Sequence, residues 1–257
     1  MNIIANTGRI FLSFMAYLGG LLLFAIKTVT HIIRPPYYPS QIFRQIFEIG
    51  YLSLPVVGLT AIFTGMVLAL QSYTGLSRFS GESAIATIVV LSVTRELGPV
   101  LAGLMVAGRV GASIAAEIGT MRVTEQVDAL VTLNTNPFKY LVAPRVLACT
   151  LMLPLLVLCA DVIGVLGGYL VSIHKLGFNP ALYIEKTFKY LEVQDVMSGL
   201  IKATVFGFMI ALFGCYQGYH SKGGAQGVGQ ATTSAVVSSS ISILILNYAL
   251  TATLFTN

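Results

Sequence analysis

The chain has 257 residues, of which 56% are hydrophobic and 10% are charged, and its mean hydropathy is +0.83. A soluble domain is about a quarter charged, so this composition excludes an ordinary water-soluble protein. The net charge of +5 comes from scattered basic residues that form no stripe, which argues against nucleic-acid binding. Long continuous apolar runs favour membrane-spanning helices over the alternating strands of a β-barrel. We therefore predict an all-α integral membrane protein.

The first apolar run, residues 10–26, is at the short limit for a transmembrane helix. Charged, polar and small residues from Arg9 to Arg34 recur at helical spacing, which is typical of a helix lying in the membrane interface. The pair Pro35-Pro36 then ends this helix. We predict an N-terminal interfacial amphipathic helix within residues 1–39, with a sixth membrane span as the alternative.

Residues 40–257 are predicted to form a single transmembrane domain of five helical spans. Lysine and arginine are more numerous in the loops on the side of the N-terminus, which favours a cytoplasmic N-terminus and an external C-terminus. The predicted spans cover residues 46–72, 82–116, 146–172, 196–218 and 231–255, and the last two are joined by a glycine-rich loop at residues 220–229.

Five charged residues fall inside predicted spans, where charge is costly and marks functional candidates. Arg95, Glu96 and Arg109 lie in the second span, Asp161 in the third and Lys202 in the fourth. Ion pairs between helices, either Glu96–Lys202 or Arg95–Asp161, would neutralise charge in a medium of low dielectric constant. Two interpretations stay open, because such pairs either lock the helix register or contact substrate and control gating.

The polar stretch between the second and third spans is predicted to contain a short amphipathic helix at residues 123–133. A short helix between two spans is well placed to dock into a groove on a partner protein, and the alternative is a surface helix lying on lipid headgroups. The apolar face is formed by Val123, Val127, Leu130 and Val131, and the polar face by Thr124, Glu125 and Asp128.

Several classes of site are excluded by the sequence. The glycine-rich residues 223–229 follow a helix, and the chain has no Gly-Lys-Ser/Thr, so a phosphate-binding loop is not expected. The three cysteines lie far apart in apolar runs, without the spacing of metal ligands. No nucleophile–base pair stands out, so we assign no catalytic residue, metal or cofactor to this chain.

Six stretches together resemble the MlaE family, the permease subunit of MCE-type (Mla) phospholipid ABC transporters. The resemblance runs from about residue 41 to the C-terminus, and its longest specific part covers residues 95–130. The matching stretches are residues 64–71 (TGMVLALQ), 95–100 (RELGPV), 107–113 (AGRVGAS), 116–130 (AEIGTMRVTEQVDAL), 227–233 (GVGQATT) and 247–252 (NYALTA).

The resemblance implies a multi-pass protein of the inner membrane of a diderm bacterium, with residues 40–257 as the permease domain. It implies a homodimer that carries two ATPase subunits, a periplasmic ring of MCE-domain protein and, in many cases, a STAS-domain protein. Such transporters move phospholipid between the inner and outer membranes and maintain outer-membrane lipid asymmetry. The helix at residues 123–133 would then be the coupling helix that seats in the ATPase, and ATP would be bound by that partner.

In that setting, two copies of the chain would enclose an apolar cavity that holds acyl chains. Ordinary core packing or contact with membrane lipid is the alternative for the residues at the outer end of the first span. The residues expected to line the cavity are Leu68, Leu70, Tyr73, Leu76 and Phe79.

A second hypothesis is an ion-coupled secondary transporter or channel. Asp161, Glu96 and Lys202 would then form a proton relay inside the membrane. Five spans without an internal repeat are unlike the repeat-built transporters, which counts against this hypothesis.

Overall fold

The computed structural model describes residues 3–76 and 84–255, which form helices, turns and short connections with no β-strand. The predicted all-α class is therefore confirmed for the described part of the chain. Its α-helices are α1 (Ile3–Ile33), α2 (Pro39–Ile49), α3 (Leu54–Leu76), α4 (Ile85–Ser92), α5 (Gly98–Val106), α6 (Ala112–Val123), α7 (Gln126–Thr132), α8 (Ala143–His174), α9 (Pro180–Tyr190), α10 (Val193–Tyr219) and α11 (Gly224–Leu254).

Six helical stretches in the described ranges are long and apolar enough to cross a membrane, which confirms a multi-pass membrane protein. Five of them overlap the predicted spans, and the sixth includes most of α1. These stretches are Phe11–Ile33, Pro39–Leu76, Ile85–Val123, Phe138–His174, Val193–Tyr219 and Gly224–Leu254.

The stretch Ile85–Val123 is one long helix interrupted by two π-helical turns. The first turn, Val93–Leu97, joins α4 to α5, and the second, Ala107–Gly111, joins α5 to α6. π-Helical turns occur frequently at functional sites, because the extra residue re-aims the side chains around it. Both turns carry charged residues of the second predicted span, so the irregular backbone coincides with the charges.

The structure corrects one predicted loop and adds one helix. The predicted loop at residues 220–229 is largely helical, because α11 already begins at Gly224. Gly223 and Gly224 turn the chain into this helix with left-handed φ angles of 88° and 68°. The polar stretch after α8 also contains a helix that the sequence analysis missed. That helix, α9, begins with Pro180, and the Asn179 side chain accepts hydrogen bonds from the first backbone N–H groups.

Glycines allow the spans to approach each other closely in the core. A Cβ atom added at Gly65 of α3 would overlap the Gly164 carbonyl of α8, and one added at Gly207 of α10 would lie 2.6 Å from the Cys149 carbonyl oxygen. Small residues of this kind are the usual interface of packed membrane helices, because backbone can then contact backbone. Gly207 therefore allows α10 and α8 to pack closely.

The molecule has two distinct ends. The α7 end is defined by α7 together with residues 31–39 and 219–224. Arg122, just before α7, lies 5.7 Å from the Tyr219 ring centroid, and residues just after α7 form hydrogen bonds with His31 and Pro35. The α9 end is defined by α9 together with residues 193–195 and Phe255. Because α10 has 27 residues and runs between these ends, they are separated by about 40 Å.

Helix α1 packs on the α7 end rather than alongside α10. Tyr17 and Phe24 both make edge-to-face contacts with Tyr216 in the last turn of α10, each at 5.5 Å between ring centroids. Further along α1, His31 stacks on Phe138 just before α8 begins. The stretch of α1 from Tyr17 to His31 is about 21 Å long, and these contacts along it all lie close to the α7 end.

We expect Gly65→Ala to destabilise the protein by about 1–3 kcal/mol, because its Cβ requires α3 and α8 to separate. The measurement is thermal unfolding of the purified protein in one detergent. The matched control is Gly19→Ala in α1, where an added Cβ meets no atom within 4 Å. Equal unfolding temperatures for the two variants would contradict the close helix contact.

Candidate functional site

A cluster of charged and polar side chains joins the second span to α10 and α11. The Lys202 ammonium group lies 2.7 Å from Oε1 of Glu96, and Lys202 is fully buried. Asn247 Nδ2 donates to Glu96 Oε2 at 2.8 Å, and Thr251 Oγ1 donates to Glu96 Oε1 at 3.0 Å. The predicted Glu96–Lys202 pair is confirmed, and it draws three spans together.

The backbone of the first π-helical turn supplies another partner for Lys202. Its ammonium group donates to the Arg95 carbonyl oxygen at 2.8 Å. In a regular helix that carbonyl would accept from the residue four positions later, but that residue is Pro99, which has no N–H. Lys202 therefore satisfies a carbonyl that the proline leaves free, in addition to its carboxylate partner.

Arg95 pairs with an acidic residue that the sequence analysis did not select. Its Nε donates to Asp195 Oδ1 at 2.6 Å, and its guanidinium lies 4.8 Å from the Phe255 ring centroid. The predicted Arg95–Asp161 pair is therefore wrong. Asp195 also closes a capping box with Glu192 at the start of α10. The sequence signal that could have drawn attention to Asp195 is the Glu-x-x-Asp spacing before an apolar run, but this spacing indicates a helix start and not an ion pair.

Asp161 is buried in α8 and has no hydrogen-bond partner among the described protein atoms. Its carboxyl group packs against Gly98, where an added Cβ would overlap Oδ1. Asp161 also lines a largely apolar cavity of about 480 Å³ formed by α4, α8, α9 and the start of α10, with Tyr169 and Tyr183 in its wall. Among the described residues, Asp161 thus forms no ion pair with the other in-span charges.

Arg109 lies in the second π-helical turn, well away from the Glu96 cluster. Its Nη1 donates to Ser53 Oγ at 2.7 Å and to the Glu48 carbonyl oxygen at 3.3 Å. No carboxylate of the described residues lies within 4.0 Å of its guanidinium nitrogens. Arg109 is therefore a cation inside a span that is held only by neutral acceptors.

The residues expected to line a lipid cavity are partly used in packing within the chain. Leu68, Tyr73 and Leu76 pack against a small core between α3 and α4, and Tyr73 lies 6.0 Å from Phe178 between ring centroids. Leu70 is half-buried. Phe79 lies outside the described residues, and the cavity role of this set stays a prediction.

The short helix between the second and third spans is shorter than predicted. Helix α7 begins at Gln126 rather than at residue 123, because Val123 ends α6, Thr124 caps it and Glu125 turns the chain with a left-handed φ of 61°. Along α7, Asp128 forms an ion pair with Arg122 of α6.

The apolar side of α7 is divided between the core and the surface. Val127 is fully buried against the body of the protein, and Leu130 is half-buried. Val131 is 57% exposed, and Leu133, which follows the helix, is 74% exposed. The α7 end therefore presents two apolar side chains that the described residues do not cover.

Comparisons with known proteins agree on the family of the chain. The family model described as Permease MlaE matches residues 42–253. A Rickettsia felis protein named probable ABC transporter permease protein is 63% identical over 255 residues, covering 99% of this chain and 98% of that protein. A protein of the same description from Synechocystis is 41% identical over 225 residues, covering 88% and 86%.

A plant protein is also related. Protein TRIGALACTOSYLDIACYLGLYCEROL 1, chloroplastic, from Arabidopsis thaliana is 36% identical over 229 residues, covering 89% of this chain and 65% of that protein. The family match covers most of the chain, and bacterial relatives match it over nearly their whole length. The chain belongs to the MlaE permease family of membrane proteins.

Proposed function

We propose that the chain is the transmembrane permease subunit of an ATP-driven phospholipid transporter. It moves lipid between the inner and outer membranes of a diderm bacterium and so maintains outer-membrane lipid asymmetry. The main support for this proposal is the family match over residues 42–253, together with bacterial relatives named as ABC transporter permeases. The plant relative's name contains that of a diacylglycerol lipid, which supports a lipid cargo. These names do not favour an ion-coupled transporter.

The proposed topology places the α7 end in the cytoplasm and the α9 end in the periplasm of the inner membrane. On this arrangement α11, which starts at the α7 end, carries the C-terminus to the periplasm. An interfacial position for α1 is supported by its contacts with the α7 end, since both Tyr17 and Phe24 pack on Tyr216. The N-terminus then stays on the cytoplasmic side.

The proposed assembly contains a second copy of the chain, ABC ATPase subunits, a periplasmic MCE-domain ring and, in some complexes, a STAS-domain protein. The chain has no nucleotide-binding motif, so ATP is bound and hydrolysed by the ATPase partner. The exposed Val131 and Leu133 beside α7 fit a hydrophobic groove of that partner. Two copies would enclose the lipid cavity with the outer part of α3, including Leu70, and with Phe79, which follows α3 in the sequence.

A mechanical path supports coupling between the ATPase and the charged cluster. Helix α7 is joined to α6 by Thr124 and Glu125, and α6 continues through the second π-helical turn and α5 to the first turn, which contains Glu96. Movement of α7 on ATP binding is therefore transmitted along one helix to the ion pair with Lys202. The polar partners on α11 allow Glu96 to keep hydrogen bonds while α10 shifts, which is the property required of a gate.

The proposed function is tested by purifying the tagged chain from its native membrane in mild detergent. We expect an ATPase and an MCE-domain protein to co-purify with phospholipid, and the eluate to hydrolyse ATP. If the chain elutes alone, without ATPase activity or lipid, the proposed function fails.

Substitutions at Glu96 and Lys202 distinguish a gating role of this ion pair from a purely structural one. Glu96→Gln leaves the fully buried Lys202 without a counter-charge, which we expect to cost about 3–5 kcal/mol of stability. The double variant Glu96→Gln, Lys202→Met removes both charges, so we expect its thermal stability to recover while lipid transport in cells stays lost. The control is Lys175→Met at the exposed end of α8. Recovery of transport together with stability in the double variant would reduce the pair to a register lock.

A substitution at the exposed apolar side chain of Leu133 tests whether the ATPase docks at the α7 end. We expect Leu133→Asp to abolish ATPase co-purification without changing the unfolding temperature, because a carboxylate cannot enter an apolar groove unpaired. The control is Val193→Asp, an equally drastic change at a side chain that is 80% exposed at the α9 end. Retention of the ATPase by the Leu133 variant, or its loss in both variants, would contradict docking at the α7 end.

A further inference from the structure

Helix α2 has the features of a segment at the level of the lipid headgroups. Phe43, Phe47 and Tyr51 repeat every four residues and are all more than half exposed, and the Arg44 side chain beside them is 70% exposed. Exposed aromatic rings with adjacent basic side chains are typical of the boundary between acyl chains and headgroups. The helix starts at the α7 end, where Gln41 donates to the hydroxyl of Tyr140.

A pocket of about 320 Å³, lined by both charged and apolar side chains, lies between α2 and the second half of the long helix Ile85–Val123. The pocket runs along the second π-helical turn and α6, because Arg109 and Glu117 both line it and are separated by about 12 Å along the helix axis. The pocket therefore extends from a charge inside the span toward the α7 end. Its main lining residues are Gln45, Glu48, Leu52, Arg109, Ser113 and Glu117.

In this pocket, the positive charge of Arg109 has no anionic partner among the described residues. Nη1 is held by Ser53 Oγ and the Glu48 carbonyl oxygen, which are neutral acceptors and leave the charge of the guanidinium uncompensated. An arginine within a membrane span is stabilised by an anionic partner, and guanidinium groups bind phosphate oxygens in paired hydrogen bonds. The described carboxylates are all farther than 4.0 Å from it.

The carboxylates in the pocket wall favour a ligand that also carries a positive charge. Glu48 forms an ion pair with Arg44, but that pair is largely exposed to solvent and therefore weak. Glu117 pairs with Arg145, and Ser113 donates to its other carboxylate oxygen at 3.2 Å. A purely anionic headgroup would meet two negative side chains beside Arg109, whereas an ammonium group would be attracted to them.

We propose that this pocket binds the headgroup of a zwitterionic phospholipid, of the phosphoethanolamine type, from the leaflet at the α7 end. The phosphate would be held by Arg109 and the ammonium group by the carboxylates of Glu48 and Glu117. Leu52, which is 44% exposed at the pocket edge, would face the acyl chains. This inference rests on the proposed lipid transport, to which it adds a headgroup preference and a site separate from the Glu96 cluster.

A purely structural role for Arg109 makes a different prediction. Its hydrogen bonds to the Glu48 carbonyl and to Ser53 also fasten the end of α2. Loss of that role would lower stability and weaken the binding of all lipids alike. A headgroup site instead requires that Glu48→Gln, which leaves the Glu48 carbonyl in place, changes the preference between lipids.

The test uses the full chain in the detergent-purified complex with two photoreactive lipids, phosphatidylethanolamine and phosphatidylglycerol, each with a diazirine near the glycerol. We expect phosphatidylethanolamine to label residues 45–52 and 109–117 more strongly than phosphatidylglycerol. Arg109→Gln should lower labelling by both lipids roughly tenfold, the loss of a charged hydrogen-bonded contact. Glu48→Gln should lower labelling by phosphatidylethanolamine alone. Lys175→Gln, an exposed cation at the far end of α8, is the control.

Several outcomes would overturn the inference. They are absence of label from these two segments, equal labelling by the two lipids, and an unchanged ratio in the Glu48 variant. Competition by soluble glycerophosphoethanolamine or inorganic phosphate as strong as that by unlabelled lipid would show a site for free phosphate esters rather than for membrane lipid. If the complex still transports lipid in any of these cases, the headgroup site fails while the proposed function stands; absence of transport by the wild-type complex removes both.

Discussion

The buried ammonium group of Lys202 is the constraint on which much of the structure depends. A lysine without solvent contact remains charged in a membrane only where a counter-charge and hydrogen-bond acceptors replace water. Glu96 provides the charge, and the Arg95 carbonyl provides a further acceptor. Both come from the π-helical turn of the second span, so α10 and that turn must be in register. Asn247 and Thr251 then bring α11 to the same carboxylate.

The second span combines this rigid contact with a means of transmitting movement. Pro99 removes one helical hydrogen bond beside the ion pair, and the π-helical turns at Val93–Leu97 and Ala107–Gly111 replace regular helix on both sides of α5. Because α7 is joined to this helix by only Thr124 and Glu125, the surface proposed to meet an ATPase and the charged cluster belong to one connected element. Under the proposed function, that connection would link nucleotide binding in the partner to lipid movement in this chain.

The in-span charges have different environments although they are equivalent as residue types. Lys202 and Glu96 form a buried network, Arg95 pairs with Asp195 near the α9 end, and Arg109 is left with neutral acceptors beside a pocket. Asp161 has no described hydrogen-bond partner at all. The proposed transport of amphiphilic lipids would require both a stable framework and polar groups that are available to headgroups. The separation of paired from unpaired charges satisfies both needs.

The sequence by itself determined the membrane class, the approximate spans, the family and the charges that deserve attention. Those features depend on local composition, on the 3.6-residue helical period and on contiguous motifs such as residues 95–130, all of which are present in one dimension. The sequence also pointed to a Glu96–Lys202 pair, since only a few opposite charges inside the spans were available to neutralise each other.

Only the tertiary structure decided which partners meet and where the backbone departs from a regular helix. Asp195 rather than Asp161 reaches Arg95, because α10 packs closely on the second span at glycines such as Gly199, whose added Cβ would lie 2.6 Å from the Thr94 carbonyl oxygen. The helical start of α11 and the late start of α7 likewise depend on left-handed residues, Gly223 and Gly224 in one case and Glu125 in the other, that composition does not reveal. Contacts between distant segments are fixed by three-dimensional packing, and no period or motif along the chain encodes them directly.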